Sequence, residues 1–108
     1  MNRTTIVTGA GNGIGAAIAQ RFAQNGTHVV VTDIDMGAAN AVAMHIQSGG
    51  GLAIAAKLDV SSEASWSELA DLLHEQDFRP QVIVNNAFFT RVVPAHELTQ
   101  EDWNHTLA

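Results

Sequence analysis

Cysteine and tyrosine are both absent from this 108-residue chain, and cations are scarce: five Lys and Arg stand against eleven Asp and Glu. Without cysteine there is neither a disulfide framework nor a thiolate metal site, and a cytoplasmic location is the expectation. The net charge of −6 repels polyanions, so neither nucleic acid nor an acidic membrane is an expected partner. No apolar run reaches the length of a membrane span, and residues 1–9 lack the apolar stretch of a signal peptide. The five histidines (His28, His45, His74, His96 and His105) show no HExxH or close His-x-His spacing, and no metal site is expected. No G-x-S-x-G elbow occurs either. What remains is globular material, 46% apolar and 15% charged, at a size common for one domain.

Apolar runs alternate with segments of helical period, the pattern of repeated strand–helix units and a parallel sheet. Thr4 to Thr8 reads as the first strand. Ile14, Ala17, Ile18, Arg21 and Phe22 follow at helical spacing, and Asn25-Gly26 is a favourable helix end. His28 to Thr32 is a continuous β-branched run, as expected of a strand covered on both faces. A second helix carries Ala41, Val42, Met44, His45 and Ile46 up to the glycine turn at 49–51. Leu52 to Leu58 is the third strand. Ser61 or Ser62 caps a third helix with Trp66, Leu69, Leu72 and Leu73 on its apolar face. Pro80 then ends a connection, and Gln81 to Val84 is the fourth strand. A further helix is expected around Trp103, starting near Thr99.

The strongest local signal is Thr8-Gly9-Ala10-Gly11-Asn12-Gly13-Ile14-Gly15, lying between a strand and a helix. Glycines let the backbone turn tightly and let a diphosphate approach where a Cβ would obstruct it. The helix start beyond them offers unpaired N–H groups and positive dipole potential. A P-loop would need a Gly-Lys-Ser or Gly-Lys-Thr ending, and this turn has no lysine. The spacing G-x-G-x-x-G also fails, because Ile14 and Ala16 occupy the required glycine positions; the pattern is G-x-x-x-G-x-G. The plainer alternative is that the glycines only pack a helix against a strand. Asp33 ends the second strand, where a carboxylate can accept hydrogen bonds from both ribose hydroxyls and repel a 2′-phosphate. A solvated loop acid is the alternative there, as nearby Asp35 illustrates. The turn carries Asn12 and no Arg or Lys, so both features favour NAD over NADP.

On these residues the chain resembles the short-chain dehydrogenase/reductase family over essentially its whole length, but only over about the N-terminal half of a usual member. The TGxxxGxG motif is similar to Thr8–Gly15, and the acid after the second strand to Asp33. The Asp-Val pair placed around adenine is similar to Asp59-Val60, and the Asn-Asn-Ala-Gly motif to Asn85-Asn86-Ala87-Phe88. The resemblance implies a cofactor site of Gly9, Asn12, Gly13, Ile14, Gly15, Asp33, Asp59, Val60, Asn86 and Ala87, with Asn85 bracing the sheet. Phe88 departs from the family glycine; it either narrows the cleft or packs as an apolar loop residue. No catalytic residue is expected within the chain. The family's Ser and Tyr-x-x-x-Lys lie beyond Ala108, and Asn104 sits too early for the catalytic Asn.

The implied architecture is a three-layer, Rossmann-like α/β fold with parallel strands in the order 3-2-1-4. Residues 1–108 would form a single NAD-binding domain, incomplete relative to the family and lacking the C-terminal half of the fold. The longer relative would exchange hydride between nicotinamide and a small-molecule alcohol or carbonyl substrate. A non-catalytic NAD-binding or regulatory module, and a fragment without activity of its own, are the alternatives. A fifth strand would cover the fourth in such a relative, so a 108-residue product is expected to self-associate, as a homo-oligomer or through exposed edges. Sedimentation velocity should show association or polydispersity, and a stable, monodisperse monomer would contradict that expectation.

Overall fold

The computed structural model describes residues 2–86. Seven elements follow in order: β1 (Asn2–Val7), α1 (Gly13–Gln24), β2 (His28–Asp33), α2 (Met36–Ser48), β3 (Ala53–Lys57), α3 (Glu63–Glu75) and β4 (Phe78–Val84). The four strands form a parallel sheet in the order β3-β2-β1-β4, as the sequence predicts. No helix among the described residues is long and apolar enough to cross a membrane.

Strand periodicity sorts the core into two layers, because successive side chains leave a strand on opposite faces. Val7, Val29, Val31 and Ala53 point to one face and pack with Ala19 of α1 and Ala39, Val42, Ala43 and Ile46 of α2. Ile6, Val30, Ala56 and Leu58 point to the other, against Leu69 and Leu73 of α3. Val29, Val30 and Val31 are each at most 1% exposed, which explains why β2 is apolar without alternation. Buried Thr32 fits because its hydroxyl donates to the Val7 carbonyl at 2.8 Å.

Local chemistry sets the helix ends. Asn25 is the C-cap of α1, and Gly26 takes φ +83°, a left-handed conformation available to glycine at little cost. Asp35 caps α2 by accepting from the Ala38 amide. For α3 the choice between two serines is resolved in favour of Ser62, which accepts from the Ser65 amide at 3.1 Å. Ser61 instead turns back onto Asp59.

The start of β4 corrects the sequence expectation. The strand begins at Phe78, before Pro80 rather than after it. Asn2, Arg3 and Thr4 pair with Phe78, Arg79 and Pro80, then the register shifts so that Thr5 pairs with Val82. The extra residue, Gln81, makes a bulge, one of the positions where a sheet tolerates a proline that cannot donate. The same pairing draws β1 back to Asn2, earlier than the expected Thr4. Differences at β3 are confined to its ends, and the bonds Val29 N–H to Leu52 O and Leu58 N–H to Asp33 O prolong its ladder. The expected helix around Trp103 lies outside the described residues.

Replacing Ser62 by Ala should cost about 1 kcal/mol of stability through loss of the α3 cap. Urea denaturation checks this, and Ser61→Ala, which removes no cap, should cost clearly less.

Candidate functional site

Parallel strands bring their C-terminal ends to one edge of the sheet, and the β1–α1, β2–α2, β3–α3 and β4 exits gather there. The β1–α1 turn is tied down on both sides. On the β2 side, the Ala10 amide donates to the Thr32 carbonyl at 2.8 Å, and the Gly11 amide donates to Asp33 Oδ2 at 2.9 Å. On the β4 side, Asn86 Nδ2 donates to the Gly9 carbonyl at 3.3 Å. The hydroxyl of Thr8 accepts from the Asn86 amide at 2.9 Å and donates towards Asn85 Oδ1 at 3.1 Å. The Thr8 hydroxyl thereby links the end of β1 to both Asn85 and Asn86.

The glycines of the turn have separate physical reasons. Gly9 and Gly13 both have φ +60°, which a side chain would strain. Around Gly13 an added Cβ would meet nothing within 4 Å, so its space opens outward. Gly15 is the reverse. A Cβ there would collide with the Gly9 carbonyl oxygen and lie 2.6 Å from Asn86 Nδ2 and 3.0 Å from Ala10 Cα. Its missing side chain lets α1 pack onto the turn, the plainer of the two explanations for a glycine here.

Asn12 is the N-cap of α1 in extended conformation, yet its side chain makes no capping hydrogen bond. Asn12 thus leaves the first-turn amides of α1 uncapped by its own side chain, at a helix end whose dipole favours an anion. Ile14, in that first turn, is 74% exposed. Asp33 is half-buried, and its second oxygen accepts from the Asp35 amide at 3.0 Å.

Asp59 and Val60 follow β3 at the same edge. Asp59 Oδ1 accepts from the Ser61 amide and hydroxyl, at 3.0 and 2.6 Å, and the Asp59 amide donates to Ser65 Oγ. The Val60 carbonyl accepts from the Trp66 indole at 3.0 Å. A cleft of about 350 Å³ lies beside them, with Ile34, Lys57, Asp59 and Ser65 in its walls. Ala87 and Phe88 lie outside the described residues. Among those described, no three His, Cys, Asp or Glu side chains gather in a metal-binding group.

Two participants escape the sequence reading. Thr8 belongs to the motif, but nothing local reveals that its hydroxyl joins β1 to both asparagines. Gly11 occupies a variable position of G-x-x-x-G-x-G, and only the fold brings it to Asp33.

A family model described as "short chain dehydrogenase" matches residues 3–108. The chain belongs to the short chain dehydrogenase family. A D-threitol dehydrogenase from Mycolicibacterium smegmatis is 36% identical over 106 residues, covering 98% of this chain and 41% of the relative. A 7alpha-hydroxysteroid dehydrogenase from Escherichia coli is 46% identical over 85 residues, covering 79% of this chain and 33% of the relative. Among solved short chain dehydrogenase structures, a hydroxysteroid dehydrogenase from Escherichia coli superposes with a TM-score of 0.81 at 40% identity, covering 94% of this chain and 43% of that one. A metagenomic short-chain oxidoreductase in complex with NADP gives 0.82 at 32% identity, covering 96% and 48%. The chain therefore spans less than half the length of these short chain dehydrogenases.

Gly15→Ala should destabilise the fold by about 2 kcal/mol, since the overlap is with backbone that cannot swing aside. Thermal unfolding measures it, and an unchanged midpoint would contradict the packing role.

Proposed function

We propose that this chain is the NAD-binding portion of an oxidoreductase acting on a small-molecule alcohol or carbonyl compound. Residues 1–108 then serve as one cofactor-binding domain. When bound, the nicotinamide exchanges a hydride with the substrate. This chain's own residues bind and orient the cofactor. The first-turn amides of α1, at Gly13, Ile14 and Gly15, receive the diphosphate beneath the open space at Gly13, with Gly9 and Asn12 shaping the approach. Asp59 and Val60 flank the adenine side, while Asn86 and Ala87 border the nicotinamide side. The protein's proton-handling residues belong to the Ser and Tyr-x-x-x-Lys implied by the family resemblance, and this sequence contains no tyrosine.

The observation that carries the choice of NAD is Asp33. Its carboxylate stands at the C-terminal end of β2, beside the turn and fixed by two backbone amides. A 2′-phosphate brought to that place would meet its negative charge, and the turn carries no cation to offset it. The metagenomic relative that binds NADP makes the test a direct comparison of the two cofactors. The relatives' names range from a polyol to a steroid, and that breadth supports a substrate chosen by residues outside this segment.

Calorimetry on the intact protein should show NAD binding at least about tenfold tighter than NADP, the equivalent of one charge-assisted hydrogen bond. Asp33→Ala should weaken NAD and narrow the gap, whereas Gly13→Val should abolish binding of both. Equal affinity for the two cofactors in the unaltered protein would sink the assignment of NAD.

A further inference from the structure

We propose that Gly11 is a positioning residue for cofactor choice: its bare backbone amide holds the Asp33 carboxylate in place, so the turn and the acid act as one unit. The proposal rests on the NAD reading for its functional meaning and on geometry for the coupling itself. Four observations converge on it.

The first is the 2.9 Å hydrogen bond from the Gly11 amide to Asp33 Oδ2. The second is the reason this position is glycine. Gly11 is not among the glycines with positive φ, so its backbone conformation does not demand the residue; space does. A Cβ at Gly11 would lie 2.7 Å from Ala38 Cβ, 2.8 Å from Asp33 Oδ2 and 3.0 Å from Asp33 Cγ. The carboxylate could swing away from such a group. Ala38 could not, because its Cβ is fixed to the first turn of α2. An added methyl therefore pushes the turn from α2 and displaces the carboxylate.

The third observation is that Asp33 has a second anchor, the Asp35 amide at 3.0 Å on Oδ1. Asp35 is itself held as the cap of α2, accepting from the Ala38 amide at 3.1 Å. Gly11, Asp33, Asp35 and Ala38 are thus linked by successive hydrogen bonds that join the β1–α1 turn to the start of α2. The fourth is burial: Asp33 is half-buried, and a carboxylate in that setting prefers fixed amide donors to a mobile position. With each oxygen held by one amide, its remaining lone pairs have a defined direction towards a ribose. Variation at Gly11 would then change which cofactor is selected without altering the acid.

The test uses the intact protein and two independent readouts. In the cofactor-free state, NMR should show the Gly11 amide proton moving upfield and exchanging faster in Asp33→Ala. An unchanged Gly11 amide overturns the proposal whichever cofactor the protein prefers. In calorimetry, Gly11→Ala should weaken NAD by about tenfold while NADP changes by less than about twofold, as expected for loss of one charge-assisted bond. In an Asp33→Ala background the same substitution should cost no further NAD affinity. Equal weakening of both cofactors, or an undiminished NAD loss in that background, overturns the proposal. Should Gly11→Ala fold poorly, Gly11→Ala combined with Ala38→Gly removes the clash with α2 and keeps the one with the carboxylate, with the same selective loss expected. Equal affinity of the unaltered protein for NAD and NADP would remove the NAD reading alone, and the Gly11 amide would still decide whether turn and acid are joined.

Discussion

Strand β1 is hydrogen-bonded to β2 on one side and to β4 on the other, and the turn that leaves it inherits both attachments. A chain segment in that position cannot relax towards solvent on either flank. The amide of Thr8 continues the β4 ladder to the Val84 carbonyl, and the amide of Ala10 reaches across to β2. Between those two bonds the backbone must reverse direction and enter α1 within a few residues. The features of the glycine turn follow from that confinement. The glycines, the bond to Asp33 and the contact with Asn86 all arise where one turn is held between two neighbouring strands.

Confinement creates two different demands for glycine, and their costs differ. At Gly9 and Gly13 the demand is conformational, since a positive φ costs an ordinary residue about 1–2 kcal/mol. At Gly11 and Gly15 it is a demand for space, and the penalty depends on what would have to move. Gly15 faces backbone and a bonded asparagine; Gly11 faces a carboxylate and a helix. Gly13 also has an open side, where an added Cβ would meet nothing within 4 Å. One glycine-rich motif therefore combines positions set by backbone conformation with positions set by space. Each can be assigned only by what surrounds it.

The two-sided core positions this machinery. Because β2 buries Val29 and Val31 on one face and Val30 on the other, it is held firmly up to Thr32, and Asp33 emerges at a defined point. The short cap at Asp35 then starts α2 at once, which brings Ala38 back over the turn. A longer β2–α2 connection would leave the carboxylate on a loose loop, with no reason to lie beside Gly11. Packing of the valines thus bears on the site although none of them faces it.

Much of this is legible in the residues alone. The alternation of apolar runs and helical periods determines a parallel α/β sheet, the cap residues mark the helix ends, and the family motifs determine the strand order and the region of the site. These signals are local, governed by backbone propensity and by patterns spanning a turn or a strand. The sequence misplaces the start of β4, because Pro80 reads locally as a breaker, whereas pairing with Asn2–Thr4 and a bulge at Gln81 accommodate it. It leaves Ser61 and Ser62 equivalent, since both precede the helix and only the contact with Asp59 separates them. It passes over Gly11 as a variable position. The composition and motifs by themselves determined the family and the place of the glycine turn. Which glycine serves which purpose, and that Gly11 meets Asp33, was decided by tertiary structure, because those neighbours lie 22 residues apart along the chain and touch only after β1 and β2 have paired.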